Sequence, residues 1–311
     1  MIFVTGASGF VGRALILGLA RKCALPLVAG MHRRQILDWP SGVLTRDVGL
    51  SDTDFRGVST VIHLAARVHV MRESKGNPLA AFREINVDTT LHLARLAAAA
   101  GVRRFVFVSS VKVNGETSVL GSPLTELHLP NPQDSYAVSK WEAEQVLVAI
   151  AASTGMELVI IRPPLVYGPG VTANFASLMR VVQRGIPLPL GSVNNLRSLV
   201  GLDNLVDFIM TCAEHPAAAN ETFFVSDGDD ISTPDLIRAL ARASQCPARL
   251  FSVPVGMLTA IASIVGRRAE LDRLCSSLQL DISKARRRLQ WVPPATLDQG
   301  LRQVFATGTN N

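Results

Sequence analysis

Short, continuous apolar runs recur through the first half of the chain: Ile2–Thr5, Leu25–Gly30, Val43–Thr45, Val58–Leu64, Phe105–Ser109 and Leu158–Arg162. Runs this brief that do not alternate with polar residues are the pattern of strands covered on both faces, so they predict a parallel sheet. Between them the period becomes helical. Val87, Leu91, Ala94 and Ala98 share one stripe, and Ala143, Val146, Leu147, Ile150 and Ala151 share another. Alternating strands and helices predict an α/β fold, a doubly wound parallel sheet with crossover helices.

After Arg162 the alternation stops. Pro163-Pro164, Gly168-Pro169-Gly170 and the proline-rich segment 186–191 mark the start of a second, smaller lobe. Within it Ser232 and Pro234 supply the cap and first-turn proline of a helix carrying Leu236, Ile237 and Leu240. The apolar stretch from Val253 to Gly266 falls short of the ~20 residues a membrane span needs. It is expected to form a buried or interfacial helix. Membrane association is not expected, the alternative being loose attachment to an anionic surface through Arg267 and Arg268.

The first strand runs into Gly6, Gly9 and Gly12, and the helical pattern of Ala14, Leu15, Leu17, Gly18 and Leu19 follows directly. A tight turn without side chains exposes the N–H groups of a helix N-terminus to a pyrophosphate, so this order predicts a dinucleotide site. At the end of the second strand an NAD site often places a carboxylate on the adenosine ribose. Here residues 29–34 hold no acid, and Arg33 and Arg34 suit a 2′-phosphate, which favours NADP(H) over NAD(H). The alternative is a solvated surface pair.

Tyr136 and Lys140 stand four residues apart at a helix start, on the face that also carries Ala143 and Leu147. An inward lysine is unusual. An ammonium beside the phenol is expected to lower its ordinary pKa of about 10, so that the phenol exchanges a proton with a substrate oxygen. The strand ending at Ser109 and Ser110 delivers two hydroxyls where α/β sheets bind ligands, and Ser110 is expected to hold the same oxygen.

Composition narrows the partners. The net charge of +6 is spread along the chain and aromatic content is 5%, which does not make a nucleic-acid footprint. Of 31 basic residues 26 are arginine, which suits an anionic small molecule. Cys23, Cys212, Cys246 and Cys275 lie far apart, so neither a metal site nor a disulfide framework is expected. Met1 leads directly into the first strand with no basic leader, so a cytoplasmic protein is expected.

Taken together these residues resemble the extended short-chain dehydrogenase/reductase family of nucleotide-sugar epimerases, dehydratases and reductases. Besides the glycine turn and Tyr136-x-x-x-Lys140, Asp47-Val48 resembles its adenine-contacting segment, and His63-Leu64-Ala65-Ala66 the loop beneath the dinucleotide. Asn86 falls at the family asparagine before a crossover helix, and 162–170 resembles the stretch closing on the nicotinamide. Arg197 matches the diphosphate arginine, and 281–284 with 289–293 resembles the C-terminal signature. The resemblance implies a Rossmann NADP(H)-binding domain over 1–165, joined again by 199–230, with a nucleotide-sugar lobe over 166–198 and 231–311. It implies cofactor contacts at Gly6, Ser8, Gly9, Phe10, Val11, Gly12, Arg33, Arg34, Asp47, Val48, Leu64, Ala65, Ala66, Asn86, Ser109, Tyr136, Lys140, Pro163 and Val166. Substrate contacts are expected at His69, Lys112, Asn114, Asn174, Leu188, Arg197 and Arg273, with Arg267 or Arg268 as alternatives to Arg273.

The family's dehydratases carry Thr-Asp-Glu where this chain has Ser110-Val111-Lys112, so no carboxylate is expected in place for elimination. Epimerases usually carry Val-Tyr-Gly at 113–115, where Asn114 departs. The segments 63–71, 110–116 and 197–205 resemble bacterial O-antigen enzymes regarded as UDP-4-keto-6-deoxy-N-acetylglucosamine 4-reductases. The reaction implied is NADPH-dependent reduction of a C4 ketone. The alternatives are a UDP-hexose 4-epimerase holding NAD tightly, or a nonenzymatic NADP(H)-sensing protein. A homodimer through the helices near 87–100 and 136–154 is expected by the same likeness.

Overall fold

The structure, a computed structural model, describes residues 1–22, 26–31, 38–48, 53–68 and 77–306. Its strands are β1 (Ile2–Thr5), β2 (Leu27–Met31), β3 (Val43–Asp47), β4 (Thr60–His63), β5 (Arg104–Val108), β6 (Glu157–Arg162), β7 (Leu165–Tyr167), β8 (Leu199–Gly201) and β9 (Glu221–Phe224). Its α-helices are α1 (Phe10–Lys22), α2 (Pro78–Arg83), α3 (Thr89–Ala99), α4 (Ser135–Thr154), α5 (Ala173–Gln183) and α6 (Leu202–Glu214). They continue with α7 (Thr233–Ala243), α8 (Val255–Ile264), α9 (Arg268–Cys275), α10 (Ser283–Leu289) and α11 (Leu297–Ala306).

Seven strands form one parallel sheet in the order β3-β2-β1-β4-β5-β6-β9. The order reverses between β1 and β4, which opens a crevice at their carboxyl ends, and the glycine turn lies there. One face of the sheet is covered by α1 and α6, through residues such as Leu15, Ile16, Leu205 and Ile209. The other is covered by α3 and α4, through Leu93, Ala94, Ala143 and Leu147. This double cover is why β1, β4, β5 and β6 are largely apolar and buried. β3, whose apolar run at 43–45 reads in sequence as a covered strand, is instead mostly exposed, Leu44 by 49%, because it forms the edge of the sheet.

β5 begins one residue before its apolar run, at Arg104, which is 1% exposed. Its guanidinium pairs with Glu157 at 2.7 Å and donates to the carbonyls of Cys212 and His215, at and just past the end of α6. A charged residue thus extends a strand because it satisfies a helix C-terminus.

β7 and β8 form a separate two-stranded parallel sheet, and beside it Phe175, Val182, Leu190, Ile237, Leu240, Leu258 and Leu301 make a third core. From β8 the chain returns through α6 to the main sheet as β9, then leaves again at α7. Ser232 caps α7, its hydroxyl accepting from the Asp235 amide at 3.1 Å. Tyr167 is wholly buried and donates to Asp227 at 2.7 Å, while Asp227 also accepts from the Gly201 amide and from Asn204, which locks β7, β8 and α6 together. Among the described residues no helix is long and apolar enough to cross a membrane.

Candidate active site

The turn after β1 has no room for side chains. Gly6 has φ +67°, and a Cβ there would meet the Ala65 amide nitrogen at 2.7 Å. A Cβ on Gly12 would stand 2.1 Å from the Gly6 carbonyl oxygen. The Gly9 amide closes the turn on that carbonyl at 2.9 Å, and α1 starts at Phe10 with no acid in its first turn. Phe10 and Val11 pack against the core beneath, and Ser8 is partly exposed. This cradle fits a dinucleotide pyrophosphate on the α1 N-terminus. Leu64, Ala65 and Ala66 follow β4 and line the opposite side, the Ala65 amide held by the Thr5 hydroxyl at 3.3 Å.

Beneath that loop His63 is clamped between the hydroxyls of Thr5 at 2.6 Å and Thr90 at 2.9 Å, and burial lowers its pKa to about 3. It is therefore a neutral tether between β1, β4 and α3. Asn86, in a π-helical turn before α3, is likewise spent on protein. Its carbonyl accepts from the Arg67 amide at 2.7 Å, and its nitrogen donates to the Arg67 carbonyl and to Ser139 at 2.9 Å. Its amide thus joins the loop after β4 to α4 at the turn between Tyr136 and Lys140.

α4 starts where Asp134 accepts from the Ala137 amide at 2.7 Å, and it ends at left-handed Gly155. This places Tyr136 one turn before Lys140 and beside Ser110, which follows β5. Lys140 is 2% exposed, with its ammonium 3.9 Å from the centre of the Phe107 ring. Here the structure corrects the sequence expectation. Burial, then the Asp134 charge, pushes the Tyr136 phenol up to about 12, and only the Ser110 hydroxyl pulls it down. Burial pulls Lys140 down to about 7, opposed by the charge of Glu144. Desolvation dominates both shifts, and the groups acting on the phenol are Asp134 and Ser110, not the Lys140 ammonium. Ser109 is buried and its hydroxyl lacks a protein partner, so a ligand at this end of β5 would satisfy it.

Two carboxylates do lie close to Ser110 in space, but both are already paired. The Lys112 ammonium binds Glu116 and Asp134, each at 2.6 Å. Lys112 and the Ala137 amide hold Asp134 below the usual carboxylate range despite its partial burial, so it stays ionised and paired. Tertiary contact brings Asp134 there from 24 residues further along the chain than Ser110, beyond the reach of a local motif.

Asn114, expected to meet the substrate, is 6% exposed and turned inward. Its nitrogen donates to the His128 carbonyl at 2.9 Å, and its oxygen accepts from Arg162 at 2.9 Å. Arg162 in turn is gripped by Glu144. Pro163 is buried and its carbonyl accepts from the Val111 amide at 3.0 Å, while Val166 is partly buried in β7.

In the second lobe the Arg197 guanidinium donates to the carbonyls of Arg273 at 3.1 Å and Ser276 at 2.8 Å. The charge of exposed Arg273 also helps keep Asp134 ionised. Asn174 is exposed in the first turn of α5, and Leu188 pairs with Leu250. At the far edge of the sheet Asp47 is exposed and Val48 buried. Arg33, Arg34 and His69 lie outside the described residues. Sequence reasoning missed Asp134, Glu144, Thr5 and Thr90. An aspartate before a helical run is a legible cap, and Glu144 lies one turn from Lys140, but the two threonines carry no local signal.

Comparison with known proteins shows the family and the fold. Residues 2–226 match the NAD dependent epimerase/dehydratase family. The chain is 45% identical over 310 residues to a UDP-glucose 4-epimerase of Vibrio cholerae, covering 97% of this chain and 94% of the relative. It is 28% identical over 315 residues to a GDP-6-deoxy-D-mannose reductase of Pseudomonas aeruginosa, covering 98% and 96%. The crystal structure of a UDP-glucuronic acid 4-epimerase from Bacillus cereus in complex with NAD shares the fold, with a TM-score of 0.79, 23% identity and coverage of 98% and 95%. With its Rossmann sheet, glycine cradle and tyrosine–lysine helix, the chain belongs to the NAD-dependent epimerase/dehydratase family of extended short-chain dehydrogenases/reductases, and it is an enzyme.

Proposed function

We propose that this enzyme exchanges a hydride and a proton at C4 of a UDP-linked hexose, and that it works as an NADPH-dependent 4-ketoreductase. The observation that carries the C4 chemistry is the placing of Tyr136 beside Ser110 and one turn before buried Lys140. A bound nicotinamide dinucleotide supplies the hydride; Gly6, Gly9, Gly12 and the α1 N-terminus would hold its pyrophosphate, and Lys140 its nicotinamide ribose. Tyr136 gives its proton to the ketone oxygen as negative charge develops there, Ser110 donates a hydrogen bond to the same oxygen, and both donors are preorganised by α4 and β5. Arg197, with Arg273 beside it, is the candidate anchor for the diphosphate, using binding energy remote from the reacting carbon to place the ring.

Reduction is favoured by Arg33 and Arg34 at the expected 2′-phosphate position and by the resemblance of 63–71 and 110–116 to 4-reductases. Elimination is disfavoured because Asp134 and Glu116 are both paired with Lys112. The second reading, a UDP-hexose 4-epimerase recycling bound NAD, is favoured by the Vibrio cholerae relative. Purified protein separates the two. A reductase consumes one NADPH per UDP-4-keto sugar, and Arg33→Ala weakens NADPH more than NADH. Stoichiometric bound NAD with interconversion of UDP-sugars and no NADPH consumption would establish the epimerase instead. A homodimer through α3 and α4 is supported by exposed Ala99, Ala100, Val148, Ala149 and Ala152, and a two-chain mass in solution would bear it out.

A further inference from the structure

α8 turns an apolar face to solvent. Leu258 packs into the third core and Ala262 is buried, whereas Met257 is 55%, Ile261 52%, Ile264 86% and Val265 61% exposed, all on one stripe. Phe251, just before the helix, is 49% exposed, and Ile186 is 44% exposed on the segment bonded alongside through the Leu188 amide to the Arg249 carbonyl. A contiguous patch of this kind on a surface helix marks an interaction site.

The charges around it are mostly positive. Between Asp235 and Glu270 the chain holds no acidic residue, yet it carries Arg238, Arg242, Arg249, Arg267 and Arg268. Arg238 and Arg242 pair with Asp235 and Asp298, and Arg268 makes a loose exposed pair with Asp272 at 3.6 Å. Arg249 and Arg267 are exposed at either end of the apolar stripe, and Arg184 is exposed next to Ile186. The acids nearest α8 in sequence are Glu270 and Asp272 on α9, which packs against it.

We propose that this face docks on an anionic lipid bilayer, with the α8 stripe in the headgroup–acyl boundary and Arg249, Arg267 and Arg268 on lipid phosphates. A second copy of the chain fits less well, because a two-fold contact through this patch sets its own arginines against each other. A bilayer offers apolar depth and a negative rim together, and arginine stems follow the apolar surface while their guanidinium groups reach the phosphates. The proposal takes the interfacial alternative for this helix and departs from the sequence expectation of no membrane association. α9 links this face to the proposed sugar-nucleotide site, since it packs on α8 and its Arg273 carbonyl accepts from Arg197, the proposed diphosphate anchor, at 3.1 Å. The docked enzyme therefore holds its sugar-binding end beside the membrane surface.

The test is sedimentation of the full-length protein with vesicles of phosphatidylcholine alone or containing about 30% phosphatidylglycerol. The proposal expects binding only to the anionic vesicles, and release when about 1 M salt shrinks the screening length. It expects the Ile261→Ser/Ile264→Ser variant to lose roughly tenfold in partitioning while its melting temperature and turnover of soluble substrate stay unchanged. Met257→Gln, a milder change, serves if the double variant fails to fold. No binding, equal binding to neutral vesicles, or binding unaltered in a folded variant overturns it. So does a concentration-dependent rise in mass that the same substitutions abolish, because the face is then a contact between copies.

Discussion

Glu144 grips Arg162 with two hydrogen bonds, at 3.0 and 2.5 Å, one helical turn beyond Lys140, and the two side chains are 1% and 6% exposed. Breaking one side of a buried pair leaves an uncompensated charge, which costs about 3–5 kcal/mol. Glu144→Gln is expected to lose about that much in a denaturant melt. It also removes the carboxylate that opposes the fall of the Lys140 pKa, so Lys140 titrates below 7 in the variant. An unchanged melting midpoint would show that the pair contributes nothing net to stability.

The chain has two tyrosines, and burial pushes both phenols up, Tyr136 to about 12 and Tyr167 beyond it with Asp227 as a second cause. A spectrophotometric titration of ligand-free protein should show no tyrosinate until well above pH 10. Because the unfolded phenols ionise first, near 10, stability from this source falls as pH rises through 10 toward 12. Early tyrosinate absorbance in folded protein would contradict the burial of both rings. Tyr136→Phe should lower kcat at least 10²-fold while the cofactor Kd stays nearly constant.

Lys140 shows stability given up for chemistry. Its folded pKa of about 7 lies below its unfolded value of 10.5, so the burial penalty is complete below pH 7 and fades as pH rises toward 10.5. Lys140→Met should therefore stabilise the ligand-free fold by on the order of 2 kcal/mol at pH 6, less at pH 10, and abolish turnover. Thermal melts at the two pH values would measure the difference.

His63 acts in the same direction at lower pH. Its folded pKa of about 3 against 6.5 unfolded means that the unfolded chain takes up the proton first, and stability is lost as pH falls from 6.5 toward 3. His63→Gln, which can still meet Thr5 and Thr90, should flatten acid denaturation in that window. A parallel acid-melting curve for the variant would assign the loss to other groups.

Gly12→Ala would force a methyl against the Gly6 carbonyl, 2.1 Å away. The turn must open to admit it. Cofactor affinity is expected to fall by more than tenfold, read as lost cofactor-induced thermal stabilisation, with far-ultraviolet circular dichroism little changed.

Much of the fold was legible because its signals are local. The strands differ from their apolar runs by one or two residues at the ends, and Arg104 shows why: a buried charge enters a strand only when a distant helix end needs it. The glycine turn, Tyr136, Lys140 and Ser110 were legible for the same reason. Each occupies a fixed place on a strand end, a turn or a single helix face.

Chain order, periodicity and glycine spacing by themselves determined a parallel sheet, a dinucleotide cradle and a phenol–ammonium pair one turn apart. Only the tertiary structure decided how those groups are charged and which polar residues are free. Asn114 and Asn86 read as ligand contacts but are spent on protein, Asp134 arrives beside Ser110 from a later segment, and burial pushes the Tyr136 phenol up where the sequence suggested the reverse. The reason is physical: desolvation and hydrogen-bond pairing depend on what surrounds a group in space, and those neighbours come from chain segments far away in sequence.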